Sequence, residues 1–241
     1  MVIIFFATLV EQSDINERIA VRYEKPETAF FHPNGRVMLQ ALEWLISRLQ
    51  AVIDGDRPLH MLEMYCGCGA HTVALASTGL LQSIVAVELD GRLVDACAEN
   101  CRRNHCLQGS TTRTPVHVVK GDAAEWAMKS RHARQRKKQV STNNNFAFYA
   151  MDYEVLLVDP PRMGLDRTVC DMAVDGSFEH ILYISCGRKA LQRDLVILGE
   201  HFDVIDCTLL DLFPRTDSVE SLVHLKRRPT SSRRESMGVS T

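Results

Sequence analysis

Apolar positions along this chain switch repeatedly between two periods. After a Phe30-Phe31-His32-Pro33-Asn34 loop, Val37, Leu39, Leu42, Leu45, Ile46, Leu49 and Ile53 recur at helical spacing. His60 to Tyr65 reads as a buried strand, followed by Cys66-Gly67-Cys68-Gly69 and a helix from about Ala70 to Ser77. The alternation continues with a strand over Ser83 to Glu88 and a helix from Asp90 or Gly91 to about His105. A strand over Pro115 to Val119 follows, then a helix to about Met128. Glu154 to Val158 and His180 to Ser185 are two further strands, Lys189 to Leu198 is helical, and Val204 to Leu210 with Ser221 to Lys226 form a terminal strand pair. Arg18 to Tyr23 alternates as a short strand ahead of all of these.

Strands taking turns with helices predict an α/β fold whose mainly parallel sheet is covered on both faces. Ligands in such folds bind at the carboxyl ends of the strands, near the point where strand order reverses. Residues 129–147 break the alternation. They are basic and then polar (Lys129, Arg131, Arg134, Arg136, Lys137, Lys138, then Ser141 to Asn145), which predicts an insertion loop. The Ser/Arg-rich residues 229–241 predict a disordered tail. The boundaries expected are a short N-terminal segment over 1–29, a main domain over 30–228 carrying the insertion, and the tail. The apolar start Met1 to Val10 is too short to span a bilayer, which takes ~20 apolar residues, and reads as an edge strand or the remnant of a longer region.

A formal net charge of −2 gives no global attraction for nucleic acid, so any such grip must be local. The basic run at 129–138 and the cluster from Lys226 to Arg234 are the candidates. Eight cysteines in a chain of this size do not form a secreted disulfide framework and suit a reducing, intracellular setting. Cys97, Cys101 and Cys106 lack a fourth ligand at zinc spacing, so they read as thiols on helix faces with no metal expected.

Candidate chemistry sits where strands end. Gly67 and Gly69 allow a tight turn and a close backbone approach to a ligand. Glu88, about twenty residues on, can hold ribose hydroxyls, and Asp122 can accept from an exocyclic amine. No third glycine completes a dinucleotide fingerprint, which disfavours NAD and favours S-adenosylmethionine, a cofactor without a pyrophosphate to cradle. Cys186 lies between a strand and a helix, where backbone N–H groups favour a thiolate, although a cysteine there can also be plain packing. Asp159-Pro160-Pro161-Arg162 is a rigid turn that can wall a pocket for a flat base. Arg162 can pair with a phosphate or base carbonyl, or be an ordinary surface arginine. Glu220 alone would read as a solvated acid at a strand end.

Taken in order, five blocks resemble the tRNA (uracil-5-)-methyltransferase family. They are Phe31-His32-Pro33-Asn34, Glu63 to Gly69, Val158-Asp159-Pro160-Pro161-Arg162-Met163-Gly164-Leu165-Asp166, Ile181 to Cys186, and Phe213-Pro214 followed by Glu220. The resemblance runs from about Ser13 to Arg227. It implies a doubly wound, Rossmann-like class I S-adenosylmethionine-dependent fold and methylation of uracil C5 in RNA, tRNA first and ribosomal RNA as the alternative. It assigns Cys186 as the nucleophile on C6 and Glu220 as the base. It also implies cofactor positions at His32, Tyr65, Gly67, Ala70, Glu88, Asp122 and Asp159, and a substrate position at Arg162.

The chain departs from the family's pattern in places. His32 stands for glutamine, Ala70 for asparagine, Cys68 and Gly187 for asparagines, and Arg188 for proline. Loss of the amide at 70 removes a hydrogen bond with a net worth of ~0.5–1.5 kcal/mol. Family members also carry more RNA-binding mass before Ser13, so the expectation is that a partner supplies it or that residues 129–138 and the tail replace it. Two competing readings follow: a truncated, weakly active or inactive relative that serves as an RNA-binding module, and a cytosine-C5 enzyme. The latter would carry cysteine after Asp-Pro-Pro, where this chain has Arg162.

Overall fold

The computed structural model describes residues 2–9, 17–26, 34–53, 57, 59–107, 113–135, 144–212, 214–216 and 219–229. Its centre is a seven-stranded sheet of β3 (His60–Met64), β4 (Ser83–Glu88), β5 (Val116–Lys120), β6 (Val155–Val158), β7 (His180–Ser185), β8 (Phe202–Leu210) and β9 (Glu220–Arg227). The order across the sheet is β5-β4-β3-β6-β7-β9-β8. Five strands run parallel, and β9 enters antiparallel to β7 with Ser185 opposite Ser221. β8 closes the edge antiparallel to β9. Of the parallel strands, β4, β6 and β7 are rich in Val, Ile and Leu and almost wholly buried because helices cover both faces, whereas the edge strand β5 is only partly covered.

On one face lie α1 (Gly35–Val52), α2 (Ala70–Ser77) and α3 (Gly91–Arg103). α1 places Met38, Leu42, Leu45, Ile46 and Leu49 in the core, the stripe its periodicity predicts. On the other lie α4 (Ala123–Gln135), α6 (Arg167–Asp175) and α7 (Arg188–Leu198), with α5 (Asn144–Ala150) beside α4. The starts of three helices are set by local chemistry. Asn34, Asp90 and Asp166 each accept a backbone N–H of the first turn, at 3.2, 2.9 and 2.8 Å.

The N-terminal residues form a separate hairpin of β1 (Val2–Leu9) and β2 (Glu17–Glu24). Two buried amides fasten β2 to α3. Asn104 bonds both backbone groups of Arg22, and Asn100 both of Glu24. Such paired bonds satisfy the outer edge of β2 that would otherwise lack partners.

Residues 129–147 do not form one insertion loop. α4 continues to Gln135 and α5 begins at Asn144, and α6 was not read from the sequence at all. The helix persists past Met128 because Ser130 and Ala133 are buried at 1% exposure on the same face as Trp126 and Ala127. The charges that made the run look solvated are engaged. Lys129 pairs with Glu125, Arg131 pairs with Asp175, and Arg134 lies over the Phe178 ring. Arg136 to Lys138 and the expected disordered tail from Thr230 onward lie outside the described residues.

At the amino-terminal end of β7 two histidines share one hydrogen bond, His180 Nδ1 to His224 Nε2 at 3.0 Å, and both are buried. Burial pulls His224 down to about 4, with the His180 neighbour adding to the effect. Its folded value lies below the unfolded one, so it costs nothing above pH ~6.5 and destabilises progressively as pH falls toward 4, by about 3 kcal/mol at full extent. Buried carboxyls work in the opposite sense. Denaturant unfolding of the wild type against His224→Asn between pH 7.5 and 4.5 isolates the histidine: stability falls more steeply with acidification in the wild type, whereas parallel curves would refute the assignment.

Candidate active site

The chain lays down β3, β4 and β5 outward in one direction and then places β6 on the other side of β3. This reversal opens a crevice past the carboxyl ends of β3 and β6. The residues singled out in the sequence gather along this edge, except His32, which lies outside the described residues.

The glycine turn after β3 is left-handed at Tyr65 (φ 63°), Gly67 (φ 56°) and Gly69 (φ 84°). Gly69 has no room for a side chain, because a Cβ there would sit 2.7 Å from the Cys97 sulfur. Both Glu88 oxygens take backbone donors, Gly67 N–H at 3.0 Å and Asp90 N–H at 2.9 Å. That bridge locks the glycine turn to the end of β4 and leaves the remaining carboxylate lone pairs for a ligand. Asp122 caps α4 through one oxygen, accepting from Glu125 N–H at 2.9 Å. Ala70 opens α2, and its carbonyl accepts the Tyr23 hydroxyl at 2.5 Å. Asn100 donates to Cys68 O at 2.9 Å, so the same amide that holds β2 also holds the turn.

Three residues on this side escaped the sequence reading. Leu89 is 60% exposed between Glu88 and Asp90, an apolar side chain offered at the crevice. Its signal was an apolar residue directly after a strand-end acid. His71, buried on α2, lies 3.9 Å from Asp159. Glu63 is buried at mid-strand beside Thr72 and Cys97, and desolvation drives its carboxyl upward.

The second half of the site centres on Cys186. It follows β7, and β9 starts at Glu220 opposite Leu210, so register alone brings thiol and carboxyl to one edge. Glu220 is 2% exposed, which overturns the reading of a solvated acid. Desolvation raises it to about 7, against the opposing pull of Arg162. Asp159 is also raised, by desolvation and then by Glu220. The Cys186 thiol is pushed up by burial, by Glu220 and by Asp159, and only partly relieved by Arg162 and its own N–H. The expected stabilisation of a thiolate by the helix start is therefore outweighed, because two carboxyls and a dry environment act against it. Four groups that the sequence scatters over 62 residues thus act on one another's charge.

The Asp159 to Leu165 loop is clamped onto α7. Asp194, wholly buried, accepts Leu165 N–H at 2.8 Å, the Tyr183 hydroxyl at 2.6 Å and Arg193 Nε at 2.8 Å. Arg193 also donates to the carbonyls of Met163 and Leu165, each at 3.0 Å. Gly187 completes the clamp. A Cβ there would collide with the Arg162 carbonyl, so only glycine lets the turn after the cysteine close on this loop. A shallow groove of about 460 Å³ along α7, lined by Arg188, Leu191, Gln192, Leu195 and Val196, includes none of the candidate site residues.

Solved structures share this architecture. The chain superposes with a TM-score of 0.62 on the Pyrococcus abyssi tRNA (uracil-54, C5)-methyltransferase in complex with S-adenosyl-L-homocysteine, at 18% identity, covering 93% of this chain and 50% of that one. A SAM-dependent methyltransferase from Agrobacterium tumefaciens gives 0.59 at 14% identity, with 93% and 70% coverage. The fold is thus the doubly wound, Rossmann-like fold of S-adenosylmethionine-dependent methyltransferases. The profile of the tRNA (Uracil-5-)-methyltransferase family matches residues 3–228, and the chain belongs to that family. Among curated relatives, the tRNA/tmRNA (uracil-C(5))-methyltransferase of Shewanella frigidimarina is 32% identical over 220 residues. That of Vibrio vulnificus is 33% identical over 222. Each alignment spans 91% of this chain but 54% of the relative, so the chain spans about half their length.

Two outcomes follow from this geometry. Alkylation of Cys186 by iodoacetamide, read by peptide mass spectrometry, has a midpoint above that of an ordinary thiol, and Glu220→Gln moves it to lower pH. An unmoved midpoint would place the carboxyl away from the sulfur. Gly187→Ala costs roughly 1–3 kcal/mol in thermal or denaturant unfolding, the range for forced overpacking, whereas a neutral result would mean that the Arg162 carbonyl yields freely.

Proposed function

We propose that the chain transfers a methyl group from S-adenosylmethionine to C5 of uracil in RNA, with the T-loop uridine of tRNA as substrate and residues 30–228 as the catalytic domain. The observation that carries this reading is a buried carboxyl poised at about 7 in the electrostatic neighbourhood of an available thiol. Family membership supports the same chemistry.

The residues present fit the cofactor. Gly67 leaves open space at the end of β3, Glu88 is held ready for vicinal hydroxyls, and Asp122 retains an oxygen for an amine. Leu89 offers an apolar surface between them. When bound, S-adenosylmethionine supplies an electrophilic methyl group. Every other task falls to the protein.

Uracil C5 is a weak nucleophile, and addition at C6 divides the reaction into easier steps. Cys186 gives its proton to solvent water and its sulfur bonds to C6, which moves the electron pair of the 5,6 double bond onto C5 and O4. After C5 is methylated, Glu220 accepts the C5 proton, the electrons of that bond restore the 5,6 double bond, and the C6–S bond breaks to release the thiolate. The freed thiolate takes a proton back from Glu220, so that one proton is released overall. A carboxylate with an ordinary value would be a feeble base; burial matches Glu220 to neutral pH. Arg162 offsets the negative charge that builds on sulfur and carboxylate, consistent with its pull on both. The pyrimidine has to leave its stack to reach the sulfur. Eight free cysteines and a tRNA substrate fit an intracellular, cytoplasmic setting.

Methyl transfer from labelled S-adenosylmethionine to unmodified tRNA tests the reading. The wild type is active with an acid limb near pH 7, because Glu220 must be ionised to take the proton. Cys186→Ala is inactive, and Glu220→Gln loses about 10²-fold or more in turnover. Wild-type protein without transfer, or Cys186→Ala with wild-type activity, would overturn it.

A further inference from the structure

The sequence placed the RNA grip in residues 129–138 and the tail, yet the described cations of that run are held in ion pairs or against a ring. Many cations elsewhere are paired too, as with Arg48–Asp206, Arg57–Glu179, Arg167–Asp171 and Arg228–Asp203, although Arg36, Lys120 and Lys226 have no carboxylate partner among the described residues. Three exposed cations stand outside such pairs in the segments that carry Cys186 and Glu220. Arg188 and Lys189, both exposed, form the first turn of α7 immediately after Cys186 and Gly187, and neither has a carboxylate partner among the described residues. Arg215, also exposed and unpaired among them, sits in the β8–β9 connection that leads into Glu220. It holds a left-handed backbone (φ 70°), rare for a residue with a Cβ.

Nothing in the fold accounts for these charges. Cations on the first turn of a helix oppose its dipole, and α7 has no acid there to compensate. Arg188 also replaces the family's proline, a residue suited to that position. The site they border is itself acidic through Asp159 and Glu220, so a polyanion reaching Cys186 meets repulsion unless cations line the entrance.

We propose that Arg188, Lys189 and Arg215 form a phosphate-docking rim that receives the RNA backbone on either side of the target nucleotide. These are positioning residues; none touches the reacting atoms. The proposal rests on the uracil-methylation reading for its substrate, and on charge placement for its location. Phosphate contacts release condensed counterions, so binding carries a salt slope of about 0.7–0.9 per contact.

The test measures tRNA affinity of the full chain as a function of salt, with wild type, Arg188→Ala/Lys189→Ala/Arg215→Ala, and the charge-keeping Arg188→Lys/Lys189→Arg/Arg215→Lys. The alanine variant lowers the slope of log K against log salt by about 2 and raises KM for tRNA roughly tenfold to hundredfold near 0.15 M salt. Its kcat at saturating tRNA, affinity for S-adenosylmethionine and melting temperature stay at wild-type values, and the charge-keeping variant restores most of the slope. An unchanged slope in the alanine variant overturns the rim while leaving the chemistry standing. Wild-type protein that binds tRNA but transfers no methyl group overturns the methylation reading, and the slope then decides the rim on its own.

Discussion

The site depends on one close approach: the Arg162 carbonyl against Gly187, in space that any other residue's Cβ would fill. It joins the loop after β6 to the turn after β7, and so sets Asp159 and Arg162 beside Cys186. Asp194 fixes the same junction from below with three hydrogen bonds at zero exposure. A buried carboxylate is costly unless its lone pairs are occupied, and here they are. β9 then contributes Glu220 because it runs against its neighbours, which turns its first residue, rather than its last, toward the catalytic edge.

Electrostatics follow from that packing. Desolvation raises both carboxyls and the thiol, Glu220 pushes Asp159 up further, both carboxyls push up Cys186, and Arg162 moderates Glu220 and Cys186. The Cys186 thiol is pushed above the ordinary thiol range by burial and by the two carboxyls. Burial alone brings the Glu220 carboxyl up to about 7, against the pull of Arg162. On the cofactor side the logic is reversed: Glu88 is tied down by two backbone donors and serves as a fixed acceptor.

Much of the fold was legible. The period of the apolar residues located the strands of the main sheet because parallel strands buried on both faces are continuous hydrophobic runs. The ends of those strands then carried Gly67, Glu88, Asp122, Asp159 and Cys186 to one edge. What the sequence concealed was tertiary. Lys129 and Arg131 look solvated in a linear reading, yet they pair with Glu125 on their own helix and Asp175 on α6, while the burial of Ser130 and Ala133 carries α4 on. Glu220 reads as a surface acid until β9 is known to lie between β7 and β8. The Cys186 thiol could be judged from its helix start alone only because its two acidic neighbours are remote in sequence. The clamp at Gly187 left no trace except a glycine where relatives are expected to differ.

The central claim is a sulfur–carbon bond between Cys186 and a pyrimidine. Incubation with S-adenosylmethionine and tRNA containing 5-fluorouridine blocks proton removal at C5, so the adduct accumulates. Denaturing electrophoresis followed by peptide mapping should find the RNA on the peptide containing Cys186, with the methyl group retained on the ring. A denaturation-stable adduct on another residue, or none under conditions where unmodified tRNA is methylated, would contradict the account.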